Sequence, residues 1–203
     1  MSFALTDDGH EIYYEVHGTT GPTLVLPESP EAYSVPRHAA ELDAIIKALG
    51  SQINECLILV THSMGSNIAT AYYHSNPHNV AGIVYTGTYF DGKLIENFLP
   101  YDALTSGIES PSKCVEFYAS MGLDETIALE AAKWPPCARR NNARALLSFE
   151  IGDMYLTANV PGLIIQGATD MATPVLNEVQ HFPPTEAPSE VKRLVDEFVG
   201  TLL

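Results

Sequence analysis

Positive charge is scarce in this chain. Ten Lys+Arg stand against 25 Asp+Glu in 203 residues, a formal net charge of -15. A surface that acidic repels phosphate backbones and anionic lipid headgroups, so nucleic acid and acidic membranes are disfavoured as partners. Apolar runs long enough to span a bilayer are missing, and the opening "MSFALTDDGHEIYYEVHG" has no basic stretch followed by an apolar one. The expectation is a non-secreted, cytoplasmic protein. Cysteine is rare as well: Cys56, Cys114 and Cys137 are odd in number and widely spaced, matching neither a zinc pattern nor a disulfide framework. They are expected as free thiols. No internal repeat or low-complexity stretch is visible, and 203 residues at 46% hydrophobic suffice for one sizeable core, hence one domain spanning 1–203.

What is present is an alternation. "FALTDD" and "EIYYEVHG" are rich in β-formers and flank Asp8-Gly9, a hairpin signal. "TLVLPE" reads as a buried strand. Residues 34–50 carry Ser34 as a start signal, Pro36 in the first turn, apolar Leu42, Ile45, Ile46 and Leu49 on one face, and Gly50 as a stop. "ECLILV" predicts a strand, "MGSNIATAYYHS" a helix ending before Pro77, and "VAGIVYTG" another strand. Such alternation implies right-handed crossovers and a parallel sheet, an α/β fold. From about 92 to 155 the alternation gives way to helix-like stretches broken by Pro100, Pro111 and "WPP", a helical insertion. "VPGLIIQGATD" restores the strand pattern. A last helix follows, with Val191, Leu194, Val195, Phe198 and Leu202 on one face.

In "ILVTHSMGS" an aliphatic strand runs into a small-x-Ser-x-Gly turn and then a helix. That arrangement exposes a serine hydroxyl above the carboxyl edge of a sheet, beside a helix N-terminus that favours negative charge. Ser63 is therefore a candidate nucleophile rather than a mere helix cap. Gly65 meets the turn's demand for small residues, while Thr61 stands where glycine is commonest and is expected to add some crowding.

"THSMGSNIATAYYHSNPHNVAGIVYTG" resembles the nucleophile elbow, following helix and next strand of the α/β-hydrolase superfamily, in particular its small soluble esterases, lactonases and strigolactone-receptor-like hydrolases. "VPGLIIQGATDMATP" resembles the acid-bearing strand and loop of that family, which places Asp170 on the acid. "QHFPPTEAPSEV" resembles its histidine loop, which places His181 on the base. Serine, acid, histidine is the family's chain order. The resemblance implies an α/β-hydrolase fold, a mostly parallel sheet with helices on both faces and a helical cap, and no cofactor. Asp91 in "YTGTYFDG" rivals Asp170, because some hydrolases of this fold carry their carboxylate there.

Against that family the chain is abridged. Relatives follow the "LVL" strand with His-Gly and an oxyanion loop, then a helix and a strand; here "LVLPESPEAYSV" runs straight into the helix at 34–50, so one strand-helix unit is missing. Only eleven positions separate Asp170 from His181, where relatives insert a helix and a strand. Met64 N–H can still donate to an oxyanion, but its partner must come from Glu28 or Ser29, and a carboxylate at Glu28 opposes a developing negative charge.

Other candidates carry less. His74 and His78 are four apart, but "HSNPH" breaks the helix between them, so no metal is expected. His62 is expected to shape the elbow, and Tyr72 and Tyr73 to serve as core or pocket wall. The expected function is a serine hydrolase acting on a small apolar ester or lactone through an acyl-enzyme. The alternative is a ligand-binding, receptor-like or weakly active relative.

Overall fold

The computed structural model describes residues 2–15, 33–50, 57–89, 92–152, 154–167 and 179–202, with the side chains of 155 and 156 left aside. The expected strand "TLVLPE" and the candidates Glu28, Asp91 and Asp170 lie outside the described residues.

Strands β1 (Ser2–Leu5) and β2 (Glu11–Tyr14) pair antiparallel, Ala4 opposite Ile12. The turn between them is closed by Gly9 N–H donating to Thr6 O at 2.9 Å, with Gly9 at φ 85. Alternation sends Ala4, Ile12 and Tyr14 to one side, where they meet Ile45 and Leu49 of helix α1 (Val35–Leu49). The start of α1 is fixed by the Ser34 side chain accepting from Arg37 N–H at 3.2 Å. The Arg37 guanidinium donates to both carboxylate oxygens of Asp8, joining the hairpin to the helix and holding the Asp8 carboxyl well below the usual carboxylate range.

The central sheet among the described residues has three parallel strands in the order β3 (Leu57–His62), β4 (Val80–Thr86), β5 (Gly162–Ile165). Helix α2 (Gly65–Ser75) crosses from β3 to β4 and ends at Asn76, one residue before Pro77. The alternation of β4 decides what each face receives. Ile83 and Tyr85 point into the core made with α1, α2 and Phe149 and Ile151, while Val84 points to the face covered by helix α10 (Pro188–Gly200). On that second face Val191, Leu194, Val195 and Phe198 pack on Val84, Ile165 and Leu163. Gly82 lets α10 come close: a Cβ there would sit 2.6 Å from Leu202 Cδ1 and 3.1 Å from the Phe198 ring.

Between β4 and β5 the chain forms α3 (Gly92–Phe98), α4 (Tyr101–Leu104), α5 (Pro111–Ser120), α6 (Glu125–Ala131), α7 (Pro136–Ser148) and α8 (Met154–Thr157). This is the helical insertion expected at about 92–155. A short helix α9 (Pro183–Glu186) precedes α10. Among the described residues no helix is long and apolar enough to cross a membrane.

Candidate active site

The β3–β4 ladder runs on past the last strand residue. Thr61 lies opposite Tyr85, His62 opposite Thr86, and Ser63 N–H donates to Thr86 O at 3.0 Å. There the chain reverses into α2, and Ser63 takes φ 50, the one non-glycine residue with positive φ among those described. Such a conformation costs an ordinary residue about 1–2 kcal/mol, so the surrounding ladder and helix over-determine it. Thr86 fixes the corner: its hydroxyl donates to Thr61 O at 2.8 Å and lies 3.2 Å from His62 Nδ1. With that hydroxyl proton spent on Thr61, His62 Nδ1 is the donor of the second bond, so His62 shapes the elbow through its ring.

Two details at the elbow differ from the sequence expectation. Thr61 adds no crowding: its hydroxyl donates to Val84 O at 2.8 Å and lies 3.1 Å from Ser66 Oγ. A Cβ on Gly65 would meet Thr61 Cβ at 3.8 Å, an ordinary contact, so the tightness of the turn resides in the Ser63 backbone instead. Met64 heads α2, where the N–H has no acceptor one turn earlier in the helix.

His181 comes to the same corner from 118 positions away, its Nε2 3.2 Å from Ser63 Oγ. The ring is buried, stacked on Tyr89 at 5.2 Å and 23° and flanked by His62 and Phe182, each at 5.0 Å. Its main chain passes so close over the sheet edge that glycine is required beneath it. A Cβ on Gly87 would lie 2.2 Å from His181 O, and one on Gly167 would lie 2.1 Å from Gln180 O. The N–H of His181 donates to Met121 O at 3.2 Å, while those of Gln180 and Phe182 donate to the Glu186 carboxylate at 2.9 and 2.8 Å.

Of the sequence candidates, the structure thus brings Ser63, Met64 and His181 together. Tyr72 and Tyr73 lie in the core, as expected. His74 Nε2 donates to Met154 O at 2.7 Å, linking α2 to α8, and among the described residues no group of three His, Cys, Asp or Glu could hold a metal. Gly87, Tyr89 and Glu186 stand at the site although the sequence pattern singles out none of them. The only signal for Glu186 was its position four residues after Phe182, beyond Pro183-Pro184, where a side chain can return to the first turn.

A cavity of about 920 Å³ opens beside Ser63 and His181, walled largely by aliphatic and aromatic side chains of α1 and α5 to α7. That is at the upper end of small-molecule sites. Burial raises the Tyr118 hydroxyl above its ordinary pKa, so at neutral pH it lines the wall as an uncharged phenol. Arg139 stacks on the Phe117 and Tyr118 rings at 4.3 and 5.2 Å, and its guanidinium donates to Leu104 O and Ser106 O and to Cys114 Sγ. Its charge therefore braces the wall.

A family model described as alpha/beta hydrolase fold matches residues 17–110. No curated protein matches the sequence closely enough to count as a relative. Among solved structures, a bromoperoxidase from Bacillus anthracis superposes with TM-score 0.79 at 16% identity over 98% of this chain and 100% of that one. An esterase from Exiguobacterium antarcticum gives 0.74 at 16% over 99% and 98%. An N-acyl homoserine lactone degrading enzyme gives 0.68 at 17% over 97% and 100%. At these identities the likeness establishes the fold.

Proposed function

We propose that this chain, which has the α/β-hydrolase fold, is a serine hydrolase acting on small apolar esters or lactones. The observation that carries this is Ser63, held at φ 50 on a strand-to-helix turn with His181 Nε2 3.2 Å from its hydroxyl. A serine hydroxyl is a weak nucleophile and needs a base within hydrogen-bond reach. Ser63 Oγ attacks the substrate carbonyl carbon while its proton passes to His181 Nε2. Collapse of the tetrahedral species gives the ester bond to Ser63, and the proton goes on to the departing alkoxide. Water then attacks that ester, giving up a proton to His181, and the acid leaves as Ser63 is restored. Asp170 is assigned as the carboxylate that holds the imidazole tautomer, and Met64 N–H, at the head of α2, as one oxyanion donor. The apolar cavity favours a hydrophobic substrate, and the helical insertion serves as its cap.

The stretch "PESP" favours a second reading. Pro27 and Pro30 have no N–H, and Glu28 brings a negative charge where relatives supply a donor. A receptor-like or weakly active protein would keep Ser63 reactive while turning over at about 1 s⁻¹ or less. Reaction with diethyl p-nitrophenyl phosphate, peptide mapping of the adduct, and steady-state hydrolysis of p-nitrophenyl esters test both. The adduct is expected on Ser63, and Ser63→Ala is expected to lose adduct and hydrolysis together. Undiminished esterase activity in Ser63→Ala refutes the nucleophile assignment. Labelling without turnover selects the second reading.

A further inference from the structure

We infer that Glu186 is a positioning residue for His181: its carboxylate pins the main chain on both sides of that histidine and seats the pinned loop on the Met121–Gly122 turn of the helical insertion. The inference rests on the Ser63–His181 chemistry proposed above. Three successive N–H groups, of Gln180, His181 and Phe182, all have acceptors, and Glu186 supplies the outer two, Oε2 at 2.9 Å and Oε1 at 2.8 Å. Met121 O supplies the middle one at 3.2 Å. Gly122 completes the seat. It has φ 95, and a Cβ there would lie 2.8 Å from Glu186 Cδ, so the carboxylate occupies the space that any side chain at 122 would need.

Capping alone does not account for this arrangement. Phe182 is the N-cap of α9 and Glu186 its last residue, so the bond from Phe182 N–H to Oε1 resembles the return arm of a capping box. The bond from Gln180 N–H lies outside the helix and adds nothing to it. What the pair of bonds does is fix the backbone either side of residue 181. Among the described residues only the one-turn helix α9 adjoins it, and that backbone otherwise depends on the bond to Met121 O and on packing over Gly87 and Gly167. A base displaced by about 1 Å can cost about 100-fold in rate. Because Met121 and Gly122 follow α5, the same contacts join the cavity wall to the base.

The test compares wild type, Glu186→Gln, Gly122→Ala and Ser63→Ala. Each is reacted with diethyl p-nitrophenyl phosphate over a concentration series, giving a limiting rate per active site and a half-saturating concentration, with Tm measured alongside. In wild type, amide hydrogen exchange at Gln180 and Phe182 is followed separately. Glu186→Gln should lower the limiting rate by about 10- to 100-fold while the half-saturating concentration stays within about twofold. Gly122→Ala should lower it in the same sense. The two amides should be protected in wild type and exchange at least about tenfold faster in Glu186→Gln. A residue that only stabilises the fold would lower Tm and leave the limiting rate per active site unchanged. That result, with wild type labelled at Ser63, overturns this inference alone. Failure to label wild type removes the proposed chemistry and this inference with it. Should Glu186→Gln not fold, the wild-type amides decide: unprotected exchange at 180 and 182 overturns the clamp, and protection with a slowed Gly122→Ala upholds it.

Discussion

The chain around Ser63 is regular on both sides. β3 leads in, α2 leads out, and the parallel ladder with β4 reaches the serine's own N–H. The chain around His181 is less regular among the described residues: it crosses the sheet edge as a loop that leads only into the one-turn helix α9, and it is held by two glycines, one carboxylate and stacked rings. Both side chains arrive 3.2 Å apart. Ser63 is thus placed by secondary structure, which many sequences satisfy, and His181 by individual tertiary contacts that single substitutions can disturb. Damage to the histidine side should therefore reach catalysis with smaller losses of stability than equal damage to the serine side.

The largest effect is expected at the carboxylate. Asp170→Asn should lower ester hydrolysis by about 10³-fold or more, since an amide in that role favours the wrong imidazole tautomer. Asp91→Asn should cost far less, and a reversed order in two folded variants would move the acid to Asp91. Next comes Gly87→Ala. It forces a Cβ to 2.2 Å from His181 O at a residue with φ 50, so about 2 kcal/mol or more of stability should go, as read by urea unfolding. The remaining folded protein should be slower by about 100-fold. A variant with wild-type rates would show that the histidine loop has slack. If the Glu28 carboxylate opposes the oxyanion, Glu28→Gln raises turnover by less than about tenfold; a slower variant would point to a second donor elsewhere. The smallest catalytic effect belongs to Gly82→Ala, far from both side chains. Its Cβ meets the tips of Leu202 and Phe198, costing about 1–2 kcal/mol of stability with activity unchanged.

The same contrast explains what the sequence disclosed. Strand, turn and helix around Ser63 were legible because periodicity, small residues and the Ser34, Gly50 and Pro77 signals are local. The helical insertion and the apolar face of α10 were legible for the same reason. His181 could be named only through a resemblance, because nothing within its own loop shows that Gly87 lies under its carbonyl or that Tyr89 stacks on its ring. Glu186 was hidden for a related reason, since its partners include Gln180, outside any helix, and its seat is Gly122, 64 positions away in the sequence. The relief of Thr61 by Val84 O and Ser66 likewise depends on a neighbouring strand and on the turn's geometry, which residue types alone do not reveal.

The central claim is that Ser63 and His181 act as one unit, and a double-mutant cycle on p-nitrophenyl ester hydrolysis tests it most directly. Groups that share one proton transfer lose nearly everything at the first deletion. Ser63→Ala and His181→Ala should each lower the rate by at least about 10³-fold, and the double variant should be no slower than Ser63→Ala alone. Losses that multiply in the double variant would contradict the account, because they would mean that the two residues serve the protein separately.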